Sequence, residues 1–365
     1  MRIRRFASLL AAAITSFGVL HGAVRAAGPE PIELRIVGGL AGVKQYVALE
    51  EPFWSREIGQ LTGGRITAIV HPFDRSGLRG QDMLQLMRLG VLPFGTALVS
   101  MAAADEPLLS IADLPGLNPD FAALQRNVAL VRPRMEALLR ERYNIELLAI
   151  YTYPAQVVFC AKPFASLQDL WGRRVRVSAV AQAEMFAGLG AIPIVVPFAE
   201  VTRAISTGVV DCAVTGTLSG FESGLAGVTS HIHAMPVSWG ISIFGANTTT
   251  WDALPDDVRA LIRGHVADLE RRIWDAAQRD TTLGLECAAA KPVCERAPAQ
   301  RLTIVPTSPQ DEAQRQQLLE KFVVPSWIDR CGPECERLWQ ETFVGAYADG
   351  SAWVHATSAS DQPKQ

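Results

Sequence analysis

Arg176 has the clearest chemistry in this chain. It sits in Arg174-Val-Arg-Val177, a short alternating run that reads as a strand, and a strand headed for a core should not want a guanidinium. A guanidinium is planar and permanently charged, and its forked donors grip a carboxylate through two parallel hydrogen bonds. Alternation puts Arg174 and Arg176 on one face and Val175 and Val177 on the other. The competing reading is a partly exposed strand arginine paired with a protein Asp or Glu. Ser100 and Met101 end a predicted strand, at a loop position of the kind that faces the cleft in open α/β sheets. Thr215 and Gly216 follow the Val209-Val-Asp211 strand, where Thr215 offers one hydroxyl or serves only as a turn residue. Trp239, before Gly240, could wall a pocket or pack in the core. Tyr151 and Tyr153 flank a predicted crossing between two halves of the chain, as hinge packing or pocket wall. His231 and His233 would share a strand face, but two ligands are too few for a metal site. They are expected to be surface or loop histidines, and no metal or cofactor is expected.

The motifs of common exported enzymes are not found. There is no Gly-x-Ser-x-Gly elbow, no His-Glu-x-x-His and no Gly-x-x-x-x-Gly-Lys. Ser219 and Ser223 lie among glycines without matching the elbow. Asp256 and Asp257 follow Pro255 and suit the first turn of a helix. A binder rather than an enzyme is therefore expected, with an exported enzyme acting on a small acid as the alternative.

These residues need elements to hold them. Ile32–Val37 alternates as a first strand, and Tyr46–Leu61 reads as a helix unsettled by Pro52. Strand Arg65–Val70, helix Asp82–Leu89 and strand Val91–Val99 follow, then the long amphipathic segment Phe121–Arg142. Ile145–Tyr151 and Ala155–Cys160 are strands, as are Arg174–Val177, Ile194–Val196, Asp211–Val214 and Ile241–Asn247. A long helix opens at Leu254-Pro-Asp-Asp257 and reaches Arg279 or beyond. Ile304-Val305 is a last strand, and helices Glu312–Val324 and Glu334–Tyr347 close the chain. Strands alternating with helices in units of this size predict parallel α/β layers. Two α/β lobes joined by crossing strands would leave a cleft between them, the usual home of a small ligand. The expected division is residues 32–152 with 240–279 in one lobe and 153–239 with 280–349 in the other.

The chain has 365 residues, 49% hydrophobic and 19% charged, with net charge −3. That is the balance of a core-forming protein, with no basic field for nucleic acid. Arg2, Arg4 and Arg5 precede the apolar run Phe6–Leu20, and Val24-Arg-Ala26 offers small residues for cleavage. Residues 1–26 thus read as a signal peptide, and the mature protein is expected to be periplasmic. Residues 350–365 read as a flexible tail. Export permits disulfides among the six cysteines. Cys287 with Cys294 and Cys331 with Cys335 could close small loops; Cys160 and Cys212 read as buried thiols or a third bridge. Fifteen full pairings stay open. A zinc site among the four late cysteines ranks below disulfides.

An ordered set of short motifs carries a family resemblance. They are Leu61-Thr-Gly-Gly-Arg65, His71-Pro72, Leu86-Met-Arg-Leu-Gly90, Asp113-Leu-Pro115, Ser166-Leu-Gln-Asp-Leu-Trp-Gly172, Arg174-Val-Arg-Val177, Leu189-Gly-Ala-Ile-Pro193, Pro197-Phe-Ala-Glu-Val201, Thr207-Gly-Val-Val-Asp211 and Trp251-Asp-Ala-Leu-Pro255. Together they cover most of the mature chain, which resembles the solute-binding subunits of TRAP (tripartite ATP-independent periplasmic) transporters, the DctP-like family. The resemblance implies a two-lobed type II periplasmic-binding fold, a small organic-acid ligand and a membrane permease pair as partner. It implies that Arg176 is the carboxylate clamp. Thr215 stands where the family often has an asparagine or another polar contact, and offers less than an amide. Gln156 stands about where some relatives carry a second arginine; that departure implies a less anionic ligand, a monocarboxylate or one whose second group is neutral. A monomer is expected. A receptor that presents its ligand to a sensor is the alternative partner.

Overall fold

The computed structural model describes residues 30–294 and 301–344. The expected signal peptide, the tail and residues 345–347 of the last predicted helix lie outside the described residues.

Two sheets organise the chain. The first has five strands in the order β2-β1-β3-β10-β4: β1 (Ile32–Gly38), β2 (Ile66–Pro72), β3 (Phe94–Leu98), β4 (Ile145–Thr152) and β10 (Ile241–Asn247). The second has six in the order β11-β9-β5-β8-β6-β7: β5 (Gln156–Cys160), β6 (Arg174–Val177), β7 (Ile192–Val195), β8 (Cys212–Gly216), β9 (His231–His233) and β11 (Thr303–Val305). β1 runs parallel to β2 and β3, and β6 parallel to β7 and β8. β10 is antiparallel to both its neighbours, and so is β5. These two are the strands by which the chain arrives from the other sheet, through residues 153–155 and 234–240. This is the expected mixed α/β fold, with each sheet the centre of one lobe.

Local chemistry explains the elements. The Phe121–Tyr143 helix starts where the Asp120 carboxylate accepts from the Ala123 N–H at 2.7 Å, and it stops at Asn144, which is left-handed at φ 50°. The Asp256–Ala288 helix opens on its two acidic residues and runs through the expected boundary at residue 279. Its first half packs on β4 and its second on the Thr217–Glu222 helix. There the backbones come so close that a Cβ on Gly284 would lie 2.3 Å from Leu218 N. The Tyr46–Leu61 region is helical, but Gln45–Glu50 and Phe53–Glu57 wind as π-helical turns before Ile58–Leu61. The wider turn brings Gln45, Tyr46, Glu50, Trp54 and Ile58 to one buried face.

Some expectations need correction. β3 ends at Leu98, not Val99, because the Ala103 N–H donates to the Val99 carbonyl at 2.8 Å and closes a helical turn over Val99–Ala102. The Glu312–Val324 helix begins earlier, at Pro309 behind a Ser308–Asp311 capping box, and helical winding continues to Cys331. His231 and His233 are neither loop nor surface: they form β9, and His233 is fully buried, stacked on Phe164 with Asp311 3.5 Å away. Burial pushes the His233 pKa down, so its ring is neutral at pH 7. The six cysteines stand as three disulfide pairs, Cys160–Cys212, Cys287–Cys294 and Cys331–Cys335. Cys160 and Cys212 face each other directly across β5 and β8.

Candidate functional site

The second sheet presents its carboxyl-terminal strand ends around Arg176. Ser166 and Asp169 form a capping box that turns the chain into β6, and Gly172 takes φ 71° at the turn. Arg174 and Arg176 then diverge. Arg174 grips Asp211 in bidentate fashion, Nε to Oδ2 at 3.0 Å and Nη2 to Oδ1 at 2.8 Å. Arg176, only 3% exposed, makes no ion pair among the described residues. Its Nε donates to the Val196 carbonyl at 2.8 Å and its Nη1 to the Val214 carbonyl at 2.7 Å, while its Nη2 has no protein acceptor among the described residues. Loss of water pushes its pKa down to about 10, still far above neutrality, so the group is a buried cation without an anion. Such a charge is costly unless a counter-ion meets it.

The neighbouring candidates divide. By strand register Thr215 shares the Arg176 face of the sheet, since Arg176 pairs with Ala213 two residues earlier. Thr215 is 3% exposed and its hydroxyl makes no protein hydrogen bond among the described residues. Gln156 lies opposite Gly216, on the other face, and meets the group only at the sheet edge. Its Nε2 donates to the carbonyls of Pro154 (2.9 Å) and Trp239 (3.2 Å), leaving Oε1 as a free acceptor among the described residues. Trp239 is core: its indole N–H donates to the Asn118 carbonyl at 3.1 Å and its ring packs edge-on to Phe121. Ser100 and Met101 sit on the Val99–Ala102 turn rather than a strand end, and a Cβ on Gly80 would fall 2.0 Å from Met101 Sδ. That methionine is occupied in first-lobe packing.

Tyr153 belongs to a second polar group that sequence reasoning largely missed. The Val43–Tyr46–Tyr153 cluster receives Phe198 from the second lobe, two residues beyond the carbonyl that holds Arg176 Nε. Behind it lies Glu50, fully buried, accepting from the Thr96 hydroxyl and, at 3.0 Å, from the Gly39 N–H. No cation meets this carboxyl among the described residues, and burial pushes its pKa up to about 7. The Tyr153 hydroxyl interacts with the Ser242 hydroxyl and the Gln45 amide, but no well-formed hydrogen bond reaches Tyr153 OH, Ser242 Oγ or either amide atom of Gln45 among the described residues, and all four atoms are buried. Tyr151 is buried on β4, and its hydroxyl has no hydrogen-bond partner among the described residues. A cavity of about 20 Å³ is lined by Gln45, Thr152, Tyr153, Ser219 and Asp280, among others; Arg176 does not line it.

Asp113 holds the crossing in place. Its carboxylate accepts from the N–H groups of Trp239 (3.0 Å) and Gly240 (2.7 Å) and from the Asn118 amide (3.2 Å). Loss of water pushes its pKa up to about 7 against those hydrogen bonds. The sequence signals for the missed residues were thin. Glu50 stands four residues from Tyr46 and Trp54, an acid on an apolar stripe, but the π-helical turns hide Gln45 from any 3.6-residue reading.

A two-lobed α/β fold with a buried arginine at its strand ends, unpaired among the described residues, is an architecture suited to holding a small anion. The family model for bacterial extracellular solute-binding protein, family 7 (DctP) matches residues 42–322, and the chain belongs to that family. It is 26% identical over 211 residues to the C4-dicarboxylate-binding periplasmic protein DctP of Rhodobacter capsulatus. That match covers 57% of this chain and 62% of the relative, somewhat under two thirds of its length. The fold is that of DctP7, a Bordetella pertussis extracytoplasmic solute receptor binding pyroglutamic acid: TM-score 0.74 and 23% identity, covering 87% of this chain and 99% of the other. It is also that of a TRAP periplasmic solute binding protein from Rhodoferax ferrireducens with bound malonate: TM-score 0.72 and 21% identity, over 86% and 99%.

Proposed function

We propose that this protein captures a small organic acid outside the cytoplasm, holds its carboxylate on Arg176 and delivers it to a TRAP-type membrane permease. The observation that carries this is the contrast within β6. Arg174 has a carboxylate partner, whereas Arg176, more deeply buried, has none among the described residues. A ligand carboxylate would supply the missing anion through the free Nη2 and offset the cost of the buried charge. Thr215 and Gly216 border that position on β8, and Gln156 offers an acceptor where a second cation would be needed for a dicarboxylate. The similar receptors that bind pyroglutamate and malonate support a small acid as cargo.

The protein binds without catalysis and acts as a monomer after removal of residues 1–26. The lobes, residues 32–152 with 240–279 and 153–239 with 280–349, close on the ligand, and the permease recognises the closed form. Untargeted mass spectrometry of the purified protein should find a co-purified small acid. Adding that acid should raise the unfolding temperature without turnover, since a ligand of the folded state stabilises it by RT ln(1 + [L]/Kd). Consumption of the acid would overturn the reading.

A further inference from the structure

The Gln45–Tyr153–Ser242 group has no assigned task, and its chemistry is specific. Tyr153 is 7% exposed, Gln45 8% and Ser242 0%; the three side chains lean on one another, yet among the described residues neither hydroxyl and neither amide atom makes a well-formed hydrogen bond. Folded proteins rarely leave this many buried polar atoms unmatched in one place, because each costs roughly 1–3 kcal/mol. All three lie at the end of the first sheet where β1 and β3 finish. Gly39, just past β1, has its Cβ direction aimed at Glu50 Oε2 (3.1 Å) and the Tyr153 hydroxyl (3.7 Å). Ser242 pairs across β10 with Leu98, the last residue of β3. In open α/β sheets this carboxyl edge is where ligands sit.

The group is uncharged. The charged side chains that line the cavity are Lys44, Asp280 and the exposed Glu222; Lys44 and Asp280 satisfy each other at 2.6 Å, and Glu222 adds a negative charge that disfavours a second carboxylate. Glu50 behind it is tied to Thr96 and Gly39. An amide can donate and accept, and so can each hydroxyl. The set is therefore matched to a neutral group with both a donor and an acceptor, and ill-matched to a second carboxylate. The cavity beside it, about 20 Å³, has room for one such group or one water, not for a whole ligand. The Gln156 amide links this group to the second sheet: a Cβ on Gly240 would lie 3.5 Å from the Tyr153 ring and 3.8 Å from Gln156 Nε2.

We propose that Tyr153 and Gln45, backed by Ser242, are the specificity-determining half of the ligand site, and that they select a monocarboxylate whose other end is an uncharged amide-like or hydroxyl group. This rests on the reading of Arg176 as the carboxylate clamp. The two halves then divide the work: Arg176 takes the charge, and the Tyr153 group takes the neutral end.

The test is titration calorimetry with three probes on the mature protein. Pyroglutamate carries a ring amide, cyclopentanecarboxylate is the same ring size without it, and malonate carries a second carboxylate. Wild type should bind pyroglutamate at least about tenfold more tightly than cyclopentanecarboxylate, as expected for a site whose polar groups are otherwise left unpaired, with malonate weaker than pyroglutamate. Tyr153→Phe and Gln45→Leu should each cut the pyroglutamate preference to under about threefold while leaving the cyclopentanecarboxylate Kd within about twofold. Both variants remove atoms that make no well-formed protein hydrogen bond among the described residues, so the unfolding temperature of the ligand-free protein should change little. An unchanged preference in both variants, equal weakening of both rings, or a clear fall in the ligand-free unfolding temperature would overturn the proposal and leave the group holding structural water. Tightest binding of malonate by wild type would overturn it too. Wild type binding none of the three acids would reject the carboxylate reading itself, and this proposal with it.

Discussion

Two sheet edges in this molecule are built on opposite electrostatic plans. The second sheet buries a cation, Arg176, against two backbone carbonyls and gives it no anion. The first sheet buries neutral donors and acceptors around Tyr153, and an acid, Glu50, that burial pushes up to about 7. One edge is short of negative charge; the other is short of hydrogen-bond partners but not of charge. A ligand satisfying both has one carboxylate and one uncharged polar end. A symmetrical dicarboxylate would bring its second charge to a place without a cation.

That contrast can be broken at several points. The largest effect is expected from Arg176→Ala, which removes a charge-assisted pair and should weaken acid binding by about 10- to 150-fold, roughly 1.5–3 kcal/mol. Next is the crossing that aligns the two edges. Asp113→Ala frees the Trp239 and Gly240 N–H groups and should lower unfolding stability by about 1–3 kcal/mol in urea titrations. The smallest and most diagnostic effect is the pH dependence of Glu50. Its folded value, about 7, lies above its ordinary 4.5, so in that window the native state holds the extra proton. The stability from this group is complete below about pH 4, falls as pH rises through about 7, and is flat above. The unfolding midpoint of the ligand-free protein should therefore be higher at pH 5 than at pH 8, and Glu50→Gln should make that slope shallower. Asp113 is pushed up to about 7 as well and contributes a slope of the same sign, so Glu50→Gln should reduce the slope and leave the part that Asp113 carries.

Much of the scaffold was legible because its signals are local. Ser166-Leu-Gln-Asp169 is a capping turn, Gly172 and Gly208 take positive φ, and Asp211 is the partner of Arg174. These motifs, which carried the family resemblance, shape the turns that lead into and away from β6, where Arg176 lies. Arg176 stood out because a guanidinium in a buried strand conflicts with its surroundings. Trp239 and Met101 could not be placed from sequence, because an aromatic or thioether beside a strand end looks the same whether it faces a pocket or the core. Gln45 was invisible because π-helical winding breaks the 3.6-residue period. Its neighbour Tyr153, which also adjoins Ser242, lies about 100 residues away along the chain. The buried pairing of His233 with Asp311 was hidden for the same reason.

The most direct test sets the two arginines of β6 against each other. Calorimetric titration of Arg174→Ala and Arg176→Ala with the co-purified acid uses the same strand, residue type and substitution. Arg176→Ala should lose at least about tenfold in affinity with its fold intact, while Arg174→Ala should stay within about threefold of wild type and show its cost in stability instead. Equal losses, or a loss confined to Arg174→Ala, would contradict the claim that the unpaired arginine is the one kept for the ligand.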